Sequence, residues 1–431
     1  MKIVHYGLRM IENNLLKEVV LEQKSRIKLE NDFVIREKLN EVKKFINIRH
    51  SIIITGVRRC GKSVLLSQIM NIMPDKHYYI TFDDERLADF DLKDFNKLYE
   101  IFIELFGKTN TFFLDEEQNV IGWERWVRRM YEEGFKFFIT GSNARLLSRE
   151  LATLLTGRHL QISLYPFSFK EFLAFNKIDL KKEDIYLTEK RAILIKYFNE
   201  YLDKGGFPEF LKYNRIEILQ EYFNDIIQRD VVERYKIKEI KQLKELARYL
   251  ITNTGNLTTY NKLKKITEIK SVKTIINYFD YLENAYLIFK VPYFSYSLRK
   301  QSVNPFKVFS IDTGLRNSIG FKFSRDIGRL YETIVALEFK RKNKEIYYWK
   351  NYLHEEVDFV IKEGKIKQLV QVCYNINDFN TKKREIRALI KASKELKCNN
   401  LLVITEDREG KEKIKNKIIK YIPLWKWLIA Y

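Results

Sequence analysis

An α/β architecture in three parts is predicted for this chain: a parallel sheet of strand-loop-helix units, a group of short helices closed by a strand, and a mixed sheet with helices. Three observations predict it. The apolar run Ser51-Ile52-Ile53-Ile54-Thr55 passes through Gly56-Val57-Arg58-Arg59-Cys60-Gly61-Lys62-Ser63 into a helical pattern from Val64 to Met70. Between Leu243 and Val291 the apolar spacing gives three short helices and then a strand. From Gly328 onward a helix, three strands, a helix and a strand follow in turn.

Composition bounds the function classes. At 431 residues the chain exceeds one ordinary core, and 45% hydrophobic residues exclude disorder. Lys+Arg number 78 against 57 Asp+Glu, a net +21, which favours polyanionic partners, nucleic acid first and anionic membrane second. A lysine-rich genome would write the same excess. Cys60, Cys373 and Cys398 show no paired spacing, so neither a disulfide framework nor a zinc site is indicated. The start, Met1-Lys2-Ile3-Val4-His5-Tyr6, lacks the apolar core of a signal peptide, and no run is long enough to span a bilayer. A cytoplasmic protein without a membrane partner is expected.

Residues 1–47 read as a helical lead-in with no chemistry of its own, on faces such as Ile11, Leu15, Leu16, Val19 and Val20. A first domain over 48–180 follows. Its glycine loop between a strand and a helix start is a phosphate-binding P-loop in context. Gly56 and Gly61 let the backbone curl so that N–H groups face phosphate oxygens, and the helix start adds its dipole. The nucleotide-binding candidates are Gly56, Val57, Arg58, Arg59, Cys60, Gly61, Lys62, Ser63 and Val64. Lys62 would reach the β- and γ-phosphates of ATP, and Ser63 would give its hydroxyl to Mg²⁺.

A second strand, His77 to Phe82, runs into Asp83, Asp84 and Glu85, which either approach the metal or form a solvated strand end. Thr111-Phe112-Phe113-Leu114 closes on Asp115-Glu116, the Walker B pattern. Asp115 would hold Mg²⁺ through water, and Glu116 would act as general base on the attacking water. After a helix from Gln118 to Glu133, the strand Phe135 to Ile139 leads into Thr140-Gly141-Ser142-Asn143. Asn143 or Ser142 would sense the γ-phosphate, cap the next helix, or both. Arg158, after Gly157, is either an arginine finger toward its own or a neighbouring subunit's phosphates or a salt-bridge residue. A homo-oligomer is left open on the same ground.

These segments, taken with Trp123-Glu124, Leu155-Thr156-Gly157-Arg158 and Tyr165-Pro166-Phe167-Ser168-Phe169-Lys170-Glu171-Phe172, occur in one order. Together they resemble the prokaryotic AAA+ ATPase family with a C-terminal domain of unknown function. Gly205-Gly206-Phe207-Pro208-Glu209 and Asp312-Thr313-Gly314-Leu315 extend the likeness over nearly the whole chain. The resemblance implies a P-loop NTPase core of AAA+ type, then a winged helix-turn-helix, then a restriction-endonuclease-like α/β domain.

The residues of the second half are read in the same way. A helical bridge at 181–228 breaks at Gly205-Gly206-Phe207-Pro208. Over 229–300, three helices and a strand have the look of a winged helix-turn-helix, with 15 basic and 7 acidic residues. Lys262, Lys264 and Lys265 of the second helix are DNA-binding candidates, and the third helix offers Ser271, Lys273, Thr274, Asn277 and Tyr278 as DNA-facing residues. A protein-packing role for the module is the alternative.

In 301–431 the acids Glu332 and Asp358 fall where a restriction-endonuclease-like core carries them. The third strand offers Gln371-Val372-Cys373 where acid-x-lysine is required. Gln371 is a poor ligand for a hard cation, so the site reads as degenerate, with Lys365 and Lys367 the candidates for a migrated lysine and Lys367 the better, by strand parity. Three functions follow: a Mg²⁺-dependent ATPase acting on or near DNA, a slowly hydrolysing nucleotide-gated interaction switch, or an ATP-dependent nuclease.

Overall fold

The computed structural model describes residues 11–27, 33–73, 76–142, 157–181, 183–320 and 327–430. The chain divides into two compact units, Met1–Leu164 and Tyr165–Tyr431. The first therefore closes at Leu164, short of the expected 180, and the three segments expected from 181 onward all lie in the second.

The first unit begins with α1 (Asn13–Ile27) and α2 (Leu39–Lys43). It continues β1 (Ser51–Gly56), α3 (Lys62–Ile72), β2 (Tyr78–Thr81), α4 (Asp94–Phe106), β3 (Thr111–Asp115), α5 (Trp123–Glu132), β4 (Lys136–Gly141) and β5 (His159–Leu164). The strands form a wholly parallel sheet in the order β2-β3-β4-β1-β5. Ile52–Ile54, Phe112–Leu114 and Phe137–Ile139 are fully buried, as strands covered on both faces must be. One core gathers Leu16, Val19 and Val20 of α1, Phe95, Leu98 and Phe102 of α4, and Trp123, Trp126 and Val127 of α5. β5 was not predicted. It is an edge strand whose alternating His159-Leu160-Gln161-Ile162-Ser163-Leu164 buries only Ile162 and Leu164.

The second unit opens with helices: α6 (Phe169–Phe175), α7 (Thr188–Lys204), α8 (Pro208–Tyr213) and α9 (Ile216–Asp225), the last continued by a π-helical stretch, Ile226–Glu233. Next come α10 (Ile240–Thr252), β6 (Leu257–Thr258), α11 (Tyr260–Ile266), α12 (Val272–Asn284), β7 (Ile288–Val291), α13 (Leu298–Val303) and β8 (Phe306–Ser310). These strands make an antiparallel sheet in the order β6-β8-β7, with Leu257 opposite Lys307 and Lys290 opposite Val308. Phe306–Ser310, expected to open the last domain, thus completes the sheet of the helices before it.

The chain proceeds through α14 (Thr313–Ile319), α15 (Ile327–Arg341), β9 (Glu345–Lys350), β10 (Glu356–Glu363), β11 (Lys365–Val372), α16 (Phe379–Glu395) and β12 (Leu401–Thr405). It ends in β13 (Gly410–Ile414), β14 (Lys417–Pro423) and α17 (Leu424–Ala430), which were not predicted. The mixed sheet runs β13-β14-β12-β11-β10-β9. Leu389 and Ala388 of α16 pack on Val360, Leu369 and Val403 of its strands.

Two motifs of this unit meet in its interior. Asp312 caps α14, accepting the Leu315 N–H at 2.8 Å, and also accepts the Gly206 N–H at 2.7 Å. Side chains are excluded there: a Cβ on Gly205 would lie 2.2 Å from an Asp312 oxygen, and one on Gly314 1.9 Å from the Lys204 carbonyl. Arg341 donates from Nη2 to the Pro166 and Phe167 carbonyls at 3.1 and 3.0 Å. Tyr165-Pro166-Phe167, Gly205-Gly206 and Asp312-Thr313-Gly314 are therefore packing motifs. No helix among the described residues is long and apolar enough to cross a membrane.

Candidate functional site

The loop of residues 56–63 leaves the carboxyl end of β1, between β4 and β5, where open parallel sheets bind ligands. Only glycine fits at Gly56, where a Cβ would come 2.2 Å from the Leu164 carbonyl of β5. Arg59 and Gly61 take left-handed backbone, at φ 66° and 95°, which bends the loop into the start of α3. The Lys62 side chain is buried, with Nζ 3.2 Å from Glu116 Oε1 and 3.5 Å from the Val57 carbonyl.

Register carries the Walker B pair to the same end. Leu114 pairs with Ile139, and Ile54 with Thr140, so Thr140 stands between β3 and β1. Its hydroxyl donates to Asp115 Oδ1 and accepts the Glu116 N–H at 3.0 Å. Ser63 also hydrogen-bonds the Asp115 carboxylate. Burial, reinforced by the neighbouring Glu116 charge, lifts Asp115 to about 6. Burial also pushes Glu116 upward, but Lys62, Gln118 and Arg58 outweigh it and hold that carboxyl below its usual value. Glu116 itself sits at φ 54°, a conformation costly for a non-glycine residue.

The other candidates are distributed differently. Asn143 lies outside the described residues, while Ser142 is buried at the end of β4. Arg158 precedes β5 and bonds Glu132 at 3.0 Å. It stands at the opposite end of that strand from Leu164 and the loop, roughly 20 Å away at about 3.3 Å per residue. Arg158 therefore cannot be a finger onto its own subunit's phosphates. Asp84 is engaged by Arg86 and Gln23 and held down at about 2, as the salt-bridged end of a strand. Thr140 and Gln118 were missed. The signal for Thr140 was its place at the foot of the strand beside β1.

The second unit holds a separate carboxylate cluster. Glu332 of α15 and Asp358 of β10 come together as expected, joined by Glu356. The lysine among them is Lys307 of β8, 2% exposed, whose Nζ lies 2.8 Å from Asp358 Oδ1, 2.8 Å from Glu356 Oε1 and 3.1 Å from Glu332 Oε2. Lys367 is exposed on β11 and is not the migrated lysine. Gln371 accepts the Asp358 N–H at 3.4 Å and donates to Glu385 at 2.6 Å, so it orders neighbouring acids. Burial would discharge Lys307, but Asp358, Glu332 and Glu356 keep its ammonium well above the usual value. Lys350 also pairs with Glu356 at 3.3 Å, and burial with the Asp358 charge raises Glu332 to about 8. A cavity of about 460 Å³ opens beside the cluster, lined also by Arg384 and Arg387.

Lys262, Lys264 and Lys265 on α11 and Lys273 and Asn277 on α12 are all exposed. Tyr278, expected to face outward with them, is buried.

Three family models match the chain: an AAA domain over residues 49–173, a domain of unknown function (DUF8612) over 195–325, and another (DUF4143) over 327–427. An uncharacterized protein of Methanocaldococcus jannaschii is 40% identical over all of this chain and 98% of its own length. One from Haemophilus influenzae is 33% identical over 75% of this chain and 82% of its own. Among solved structures, the Aeropyrum pernix ORC2 protein in its ADP form covers 72% of this chain and 97% of its own, at 12% identity and TM-score 0.34. The Thermotoga maritima RuvB Holliday junction branch migration motor covers 64% and 94%, at 15% identity and TM-score 0.24. At such scores neither overlay carries an argument about this chain. The match over the full length does: the chain belongs to the family of archaeal and bacterial proteins that join an AAA-type ATPase domain to C-terminal domains of unknown function.

Proposed function

We propose that this protein binds ATP with Mg²⁺ at the 56–63 loop, hydrolyses it, and acts on or near DNA through residues 240–310. The observation that carries the reading is the meeting of Lys62, Ser63, Asp115 and Glu116 at the carboxyl end of β1 and β3. A Ser63 hydroxyl against a buried carboxylate short of positive charge suits a hard divalent cation, which would supply charge neutralisation at the phosphates. Lys62 leaves Glu116 for the β- and γ-phosphates. Glu116, released and still held by Gln118, orients water and takes its proton. Thr140 keeps both carboxylates in place through its two hydrogen bonds.

The order helix, strand, two helices, strand, helix, strand, with β7 and β8 paired antiparallel and exposed lysines on α11 and α12, supports a winged-helix reading and contact with DNA phosphates. One observation favours the slow switch instead: for as long as Lys62 stays on Glu116, that carboxyl is held below its usual value and is a weak base.

Steady-state turnover with ATP and Mg²⁺ tests the proposal. Lys62→Ala should lose binding or turnover. Glu116→Gln should bind ATP and keep it. Wild-type turnover in both variants would overturn the assignment, and a wild-type rate indifferent to added DNA would favour the switch.

A further inference from the structure

The lead-in to the first sheet is more than packing. Arg36, between α1 and α2, is only 2% exposed. Its Nη1 donates to the Cys60 carbonyl at 2.5 Å, inside the phosphate loop, and a Cβ built on Gly61 would lie 2.9 Å from that same nitrogen. The segment is fastened to α3 at two neighbouring points. The Arg36 N–H donates to Gln68 Oε1 at 3.0 Å, and Gln68 Nε2 donates to the Val34 carbonyl at 2.8 Å. Ile35, between these two anchors, is exposed, so the backbone hydrogen bonds rather than its side chain hold the segment in place.

We propose that Arg36 is a positioning residue for the phosphate loop, a role that rests on the nucleotide-binding reading above. A trans peptide is planar, with its C=O and N–H pointing opposite ways. Drawing the Cys60 carbonyl toward the lead-in therefore turns the Gly61 N–H the other way, toward the space that residues 56–63 enclose. Glycine alone would let that plane rotate, and the guanidinium holds it. The same group places a permanent positive charge beside the loop, because a guanidinium does not lose its proton in a protein. Its effect already reaches Cys60: burial drives that thiol up, while Lys62 and Arg36 draw it back.

The experiment uses the full chain and its Arg36→Met and Arg36→Lys variants, with ATP and ADP affinities, KM, kcat and thermal midpoint measured together. Losing a charge-assisted hydrogen bond that orders a phosphate donor should raise Kd for both nucleotides and KM for ATP about tenfold. The kcat should stay within about twofold, and Arg36→Lys should recover part of the loss. A merely structural role would lower the midpoint and leave KM where it was, which overturns the proposal. If Arg36→Met does not fold, Arg36→Lys decides: raised KM at a wild-type midpoint supports the role, and unchanged KM overturns it. A wild-type chain that binds neither nucleotide overturns the nucleotide reading itself, whatever the variants do.

Discussion

Lys307 holds, with its ammonium, the space between Glu332, Glu356 and Asp358 that a divalent ion takes in a metal-dependent hydrolase. An ammonium balances charge but does not lower the pKa of a bound water, so the cluster lacks a means of making hydroxide. Supercoiled plasmid incubated with the protein, Mg²⁺ or Mn²⁺ and ATP should stay intact. Nicking lost in Asp358→Ala but kept in Lys62→Ala would contradict this. Lys307→Met leaves Glu332 and Asp358 without their buried cation, while Glu356 keeps Lys350, and should cost about 3–5 kcal/mol of stability. Mn²⁺ should raise the thermal midpoint of that variant and not of the wild type. Asp312 gives a pH signature. Burial raises it to about 6, against the Gly206 and Leu315 N–H groups that lower it. Its folded pKa exceeds its unfolded value, so its contribution is full below about 4 and is lost as pH rises through about 6. Wild-type stability relative to Asp312→Asn should therefore fall by about 2 kcal/mol between pH 4 and 7, measured by urea unfolding.

At the scale of elements, β5 decides what Arg158 can do. With Arg158 at the strand's far end from the loop, Arg158→Ala should leave ATP affinity unchanged. If a neighbouring subunit receives this side chain, the variant's turnover falls, and turnover per wild-type subunit rises with protein concentration. A concentration-independent rate equal in both proteins would leave Arg158 as the partner of Glu132 alone. The same strand shows what the sequence hid. α11, α12 and β12 were legible as elements, because local apolar spacing and turn residues such as Thr259, which caps α11, mark them. β5 is a short edge strand with a polar alternation, and β8, which falls within the expected 301–431 segment, pairs with β6 and β7 of the segment before it. Partner choice is not a local property. The P-loop and Walker B residues were legible because their chemistry is written in adjacent positions. Lys307 was not: it meets Glu332 and Asp358 across 25 and 51 residues, although a lone lysine inside Phe306-Lys307-Val308-Phe309 was the available hint.

For the whole molecule, the net charge of +21 gives any polyanion a sequence-independent attraction. DNA affinity should fall steeply as salt rises, and neutralising Lys262, Lys264 and Lys265 together should flatten that dependence by about 3 in log–log slope if each meets a phosphate. An unchanged slope would place the contacts elsewhere, and no affinity at low salt would favour a protein-packing role for α11 and α12.

The node around Asp312 also bears on how the chain comes to be folded. Gly206 reaches forward 106 residues to Asp312, and Arg341 reaches back 174 and 175 residues to Phe167 and Pro166. Closing loops of that length is slow, and none of it can begin on a ribosome until the later partner has been made. The first unit ends at Leu164 and needs nothing downstream for its sheet, so it can fold while the remainder is still being synthesised. The helices α6 and α7 must then wait, with the face of Phe198 that packs on Tyr331 uncovered, until α15 has emerged. That interval is the chain's period of greatest exposure to aggregation and to chaperones.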